Sequence, residues 1–152
     1  GSELKEGIKA WLKNEGQTVF DEGAFELEPD DDYPDFINIV ARQVASDQEH
    51  HLGIIFGGSG QGEAVVANRV LGVRATVYYG GPTEIIKLSR EHNNANILSL
   101  GARFLKLDEA KLAVKLWLET PFSGEERHAR RINKIDRQPE PRNKFELEED
   151  LL

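Results

Sequence analysis

A chain of 152 residues has room for one domain with a buried core and not comfortably for two. Its formal net charge of -8 and 39% hydrophobic residues describe a mildly acidic globular protein and argue against broad electrostatic binding of nucleic acid. There is no cysteine for disulfide or thiol chemistry, no apolar stretch near the roughly 20 residues that span a bilayer, and no basic-then-apolar N-terminus; the cytoplasm is the expected compartment.

From Glu3 to Glu15 the residues Leu4, Ile8, Trp11 and Leu12 recur at helical spacing, and Gly16 supplies the stop. Gln17 to Asp21 is a short strand candidate around Val19 and Phe20. The acidic loop Glu26 to Asp32 leads into Tyr33-Pro34, where proline suits the first turn of a helix whose buried stripe is Phe36, Ile37, Val40 and Val44. A strand at Leu52 to Phe56, a helix from Gly62 to Val70 and a strand at Arg74 to Tyr79 continue the alternation. Gly80-Gly81-Pro82 breaks the chain before a helix through Ile85, Ile86 and Leu88. Asn96 to Leu100 forms a short apolar strand, and Asp108 is placed to cap a last long helix with Leu112, Leu116 and Trp117.

Strands separated by helices of about a dozen residues imply βαβ units. The fold class is therefore α/β, a doubly wound, mostly parallel, Rossmann-like sheet with helices on both faces. Residues 1–135 form the single domain. From Asp136 the chain turns polar, with Pro139, Pro141 and acidic Glu146 to Asp150, and is expected to be disordered or docked on a partner subunit.

In such sheets ligands bind beyond the carboxyl ends of the strands, where Gly57-Gly58-Ser59-Gly60-Gln61-Gly62-Glu63 lies between strand and helix. The glycines let backbone N–H groups approach a ligand, and the helix start favours an anion. The loop is not a Walker motif, because no Gly-Lys-Ser/Thr closes it. Nor is it a GxGxxG fingerprint, because Glu63 stands where the third glycine belongs. Glu63 is either an acid in a helix first turn or a general base beside donors that hold an enediolate oxygen. His92, in the polar burst Arg90 to Asn96, is either a surface or capping residue or part of a site at a sheet end. Arg127 and Arg131 share a helical face, as a phosphate grip or as a solvated basic face opposing Glu125 and Glu126. His50 and His51 read as surface, Asp30 to Asp32 as a solvated loop, and Trp11 and Trp117 as core.

Taken together, Asp32-Tyr33-Pro34-Asp35, the Gly57 to Glu63 loop with Ala67-Asn68-Arg69, Arg90-Glu91-His92-Asn93-Asn94-Ala95-Asn96, Gly101-Ala102-Arg103 and Arg127-His128-x-x-Arg131 resemble ribose-5-phosphate isomerase type B. The motifs run in that family's order to about Lys134. The resemblance implies interconversion of ribose 5-phosphate and ribulose 5-phosphate, a step of the pentose phosphate pathway, through a cis-enediolate. It implies no metal and no organic cofactor, and an active site between two subunits of a homodimer or tetramer.

In many members a cysteine stands at the position of Gly57. Glycine there is similar to the actinobacterial-type branch, in which the glutamate at the position of Glu63 is the base. The resemblance further implies that His92 opens the furanose ring and that Gly58, Ser59, Gly60, Gln61 and Gly62 bind substrate and oxyanion. It gives Asn93 and Arg103 substrate contacts, Arg127 and Arg131 the phosphate, and Tyr33 a place in the pocket wall. Two alternatives stay open: a hexose 6-phosphate isomerase, acting on allose or galactose phosphate, and a non-catalytic phosphosugar-binding module.

Family members begin with a strand that ends in an Asp-His-Ala-Gly turn, and Gly1 matches the glycine of that turn. The alternation here opens on a helix, and there is no methionine. The expectation is a native chain longer by about one strand and a turn.

Overall fold

The computed structural model describes residues 2–21 and 32–137; the acidic loop at 26–31 and the polar tail from 138 lie outside the described residues. In chain order the elements are α1 Ser2–Asn14, α2 Tyr33–Ser46, β1 Gly53–Gly57, α3 Gln61–Ala67, β2 Ala75–Tyr78, α4 Glu84–Glu91, β3 Ile97–Gly101, α5 Leu107–Glu119 and α6 Glu126–Asp136. None of the helices is long and apolar enough to cross a membrane, among the described residues.

The three strands are parallel, in the order β1-β3-β2. Gly53 pairs with Ile97 and Gly57 with Gly101, while Ala75 pairs with Ile97 and Tyr78 with Leu100. All strands thus begin at one end of the sheet and finish together at the other. β3 is buried at every position, because both its edges are paired and both its faces are covered.

Strand periodicity divides the core in two. Leu98 and Leu100 join Ile8, Leu12, Phe56, Ile86, Val114 and Trp117 under α1, α4 and α5. Ile97 and Ile55 join Ile37, Ala41, Val44 and Ala67 under α2 and α3. Each valine, leucine, isoleucine or phenylalanine side chain so buried contributes about 1.5–3 kcal/mol by leaving water. Trp117 is fully buried and Trp11 packs half-buried against the same core, as their stripe positions imply.

Two expected elements differ. Gln17 to Asp21 forms no strand. Lys5 and Lys9 hold it against α1 through Asp21 at 2.8 and 2.9 Å, and a cavity of about 790 Å³ is lined by this segment on one side and by β1 on another. A strand needs a ladder partner about 4.8 Å away, and here the cavity intervenes. The sheet therefore has three strands among the described residues. Asp108, expected to cap α5, lies inside its first turn; Lys106 precedes the helix, and its N–H donates to Glu109 Oε1 at 2.9 Å. His50 and His51 are exposed, and His50 bonds Asp47 at 2.9 Å.

Candidate active site

The glycine loop leaves the end of β1 and is fastened to the turn that follows β3. Ala102 N–H donates to Gly57 O at 2.8 Å and Arg103 N–H to Gly58 O at 3.0 Å. From the buried centre of β3, Ser99 Oγ donates to Gly60 O at 2.6 Å. A buried hydroxyl left without that acceptor would cost about 1–3 kcal/mol, so loop and sheet are set against each other firmly. Gly60 caps α3 at φ +79°, a left-handed conformation that glycine adopts without a steric penalty, and Ser59 Oγ accepts from Gln61 N–H at 3.3 Å.

Against this loop the chain collects three side chains from distant positions. The Glu63 carboxylate, in the first turn of α3, occupies the volume that a Cβ at position 57 would fill. Arg103 Nη2 lies 3.1 Å from the Cβ position of residue 58, and Tyr33 Oη lies 2.6 Å from that of residue 62. Carboxylate, guanidinium, phenol and loop backbone thus converge at the carboxyl ends of β1 and β3. Such a set can take a proton, neutralise an anion and donate to a sugar hydroxyl.

A second cluster forms where α4 ends and α6 passes. His92 is the C-cap of α4, its N–H donating to Leu88 O at 3.0 Å. The following turn is held open by two part-buried arginines: Arg90 Nη1 donates to Asn94 Oδ1 at 3.1 Å, and Arg74 Nε to Asn94 O at 3.0 Å. Burial lowers the pKa of both guanidiniums. Asn94 takes φ +46°, and the exposed Asn93 stands between it and His92.

α6 carries Arg127 and Arg131 on its exposed side, and Arg127 Nη2 rests on Glu125 Oε2 at 3.1 Å. His128 and Ile132, at i and i+4, form its buried side. The His128 ring stacks on that of His92, with centroids 4.2 Å apart and planes within 16°. Burial lowers the His128 pKa, and the charges of His92, Arg127 and Arg131 lower it further against the opposing pull of Glu125.

The structure brings Tyr33, Gly58, Ser59, Gly60, Gln61, Gly62, Glu63 and Arg103 together, and sets His92 and Arg127 each against His128, in two separate groups. His92 and Asn93 precede β3 and Arg103 follows it, so the groups lie at opposite ends of a strand whose five residues span about 13 Å from first to last Cα. One protomer does not unite Glu63 with His92. His128 was the residue given no role from sequence. Its one signal was its i, i+4 relation to Ile132, which makes it the inward position of a helix noticed for its arginines.

The family model for Ribose/Galactose Isomerase matches residues 1–135. Ribose-5-phosphate isomerase B of Mycolicibacterium paratuberculosis is 41% identical over 133 residues, covering 88% of this chain and 82% of the relative. That of Escherichia coli strain K12 is 36% identical over 140 residues, covering 92% and 91%. The crystal structure of ribose-5-phosphate isomerase B from Mycoplasma genitalium with bound ribulose-5-phosphate superposes with a TM-score of 0.82 at 39% identity, over 88% of this chain and 86% of that one. The Clostridium thermocellum enzyme gives a TM-score of 0.82 at 42% identity, over 90% and 89%. A glycine loop filled by a carboxylate, a parallel sheet that carries it and a match along nearly the whole described chain agree: this protein belongs to the ribose/galactose isomerase family.

Proposed function

We propose that this chain is an aldose–ketose isomerase that interconverts D-ribose 5-phosphate and D-ribulose 5-phosphate through a cis-enediolate. The observation that carries the reading is the Glu63 carboxylate lodged in the space that Gly57 leaves open, against the backbone of the glycine loop. The pentose reading, rather than allose or galactose phosphate, draws on the relatives' names and on the ribulose-5-phosphate bound to the Mycoplasma genitalium enzyme.

The reaction begins by opening the furanose. His92 gives a proton to the ring oxygen O4 as the C1–O4 bond breaks, its electron pair staying on oxygen, while the O1 hydroxyl gives its proton to solvent water and C1 becomes an aldehyde. Glu63 then takes the C2 proton; the C–H pair forms the C1–C2 double bond and charge moves to O1. Ser59 and the backbone N–H groups of Gly58, Gly60, Gln61 and Gly62 stabilise that oxyanion. A proton passes from O2 to O1, and Glu63 returns its proton to C1, leaving the carbonyl at C2. Tyr33, Arg103 and Asn93 orient the hydroxyls, and Arg127 and Arg131 grip the phosphate.

These roles require two copies of the chain. A homodimer that sets the glycine-loop end of one protomer against the His92 end of its partner completes the site, and the opposite placement of the two groups along β3 supports this arrangement. A multiply charged sugar phosphate is retained within the cell membrane, which supports a cytoplasmic location for the enzyme.

A coupled isomerase assay of Glu63→Gln tests the reading. Turnover of ribose 5-phosphate falls about 10²–10⁴-fold, the usual contribution of a positioned base, while substrate binding by calorimetry persists. Wild-type turnover surviving in Glu63→Gln excludes Glu63 as the base.

A further inference from the structure

The stacked imidazoles of His92 and His128 are a more demanding arrangement than burial alone needs. Two imidazoles at 4.2 Å and 16° repel one another when both are protonated, and α6 could have filled this place with an aliphatic side chain, as it does four residues on with Ile132. His128 is 5% exposed, so its ring cannot swing away to water. Its Nε2 accepts from Arg127 Nε–H at 3.4 Å, and Glu125 Oε2 lies 3.4 Å from the same nitrogen. The groups that face it are therefore Glu125, Arg127 and Arg131 from its own helix and His92 from α4. Three of these four are cationic or become so on protonation. Together with burial they disfavour a proton on His128.

We propose that His128 is a positioning residue for the ring-opening step: its flat, buried ring fixes the plane of His92, the proton donor on α4. The inference rests on the assignment of His92 and Glu63 above. It adds a residue that acts on one half of the reaction only, because the proton transfer between C1 and C2 does not use His92.

That division makes the test selective. Ribose 5-phosphate is cyclic and must be opened, whereas ribulose 5-phosphate, its C5 oxygen blocked by phosphate, is an open chain. Two rates are measured on the full chain: turnover of ribose 5-phosphate, and deuterium wash-in at C1 of ribulose 5-phosphate in D₂O, followed by NMR. In His128→Ala, ribose 5-phosphate kcat falls about tenfold or more, a part of what a well-oriented general acid contributes. KM stays within about twofold, because Arg127 and Arg131 keep the phosphate contacts, and wash-in is retained.

His128→Phe keeps a flat ring and restores most of the lost kcat, whereas His128→Leu fills similar space without one and does not. Unchanged kcat in His128→Ala overturns the proposal. So does an equal fall of turnover and wash-in, or equal rescue by Phe and Leu, since either marks a merely structural role. Should His128→Ala not fold, the comparison of Phe with Leu decides alone. Glu63→Gln is the separate control: persistence of its wash-in removes the base assignment and leaves the His128 comparison standing.

Discussion

At position 57 the absence of a side chain has a chemical consequence. A Cβ there would collide with the Glu63 carboxylate, which is the far end of a flexible side chain and can be pushed aside without moving backbone. Gly57→Ala is accordingly a substitution that folds and fails: stability changes by about 1 kcal/mol or less, as for substitutions that need no backbone shift, while kcat drops about 100-fold with the base displaced. Thermal melting and the coupled assay measure the two effects side by side. An active Gly57→Ala would mean that the carboxylate does not need this berth.

Among the elements, α6 is the one whose stability is expected to depend on pH, through His128. Its pKa is lowered from 6.5 by burial and by the neighbouring cations, so between 6.5 and the lower folded-state value the unfolded chain binds more protons. The stability it contributes is present above pH 6.5 and is lost as the pH falls through the folded-state pKa. Melting temperatures recorded from pH 7.5 to pH 5 should therefore decline more steeply for the wild type than for His128→Phe; parallel curves would remove His128 from the acid response.

The elements themselves were legible to different degrees, for physical reasons. β1 and β3 read clearly because a strand buried on both faces is a continuous apolar run bounded by glycine or asparagine. Gln17 to Asp21 has the composition of a strand, yet strand formation depends on an edge within hydrogen-bonding reach, which composition does not encode. Tyr33, Glu63 and Arg103 were each nameable from motifs. Their convergence on one loop depends on the β1–β3 register and the fastening of residues 102 and 103 to residues 57 and 58, which no local pattern reveals. His128 was hidden because its role comes from a contact between two helices.

For the whole molecule, the decisive fact is that Glu63 and His92 sit at opposite ends of β3. If two protomers complete each other's sites, a mixed dimer of Glu63→Gln and His92→Gln holds one doubly damaged site and one intact site. Each variant alone should be nearly inactive. Unfolded and refolded together in equal amounts, they should recover about one quarter of wild-type turnover, since half of the dimers are mixed and half of their sites are whole. Activity that stays at the level of the separate variants, with mixed dimers demonstrated by mass, would contradict a site shared between Glu63 of one copy and His92 of the other.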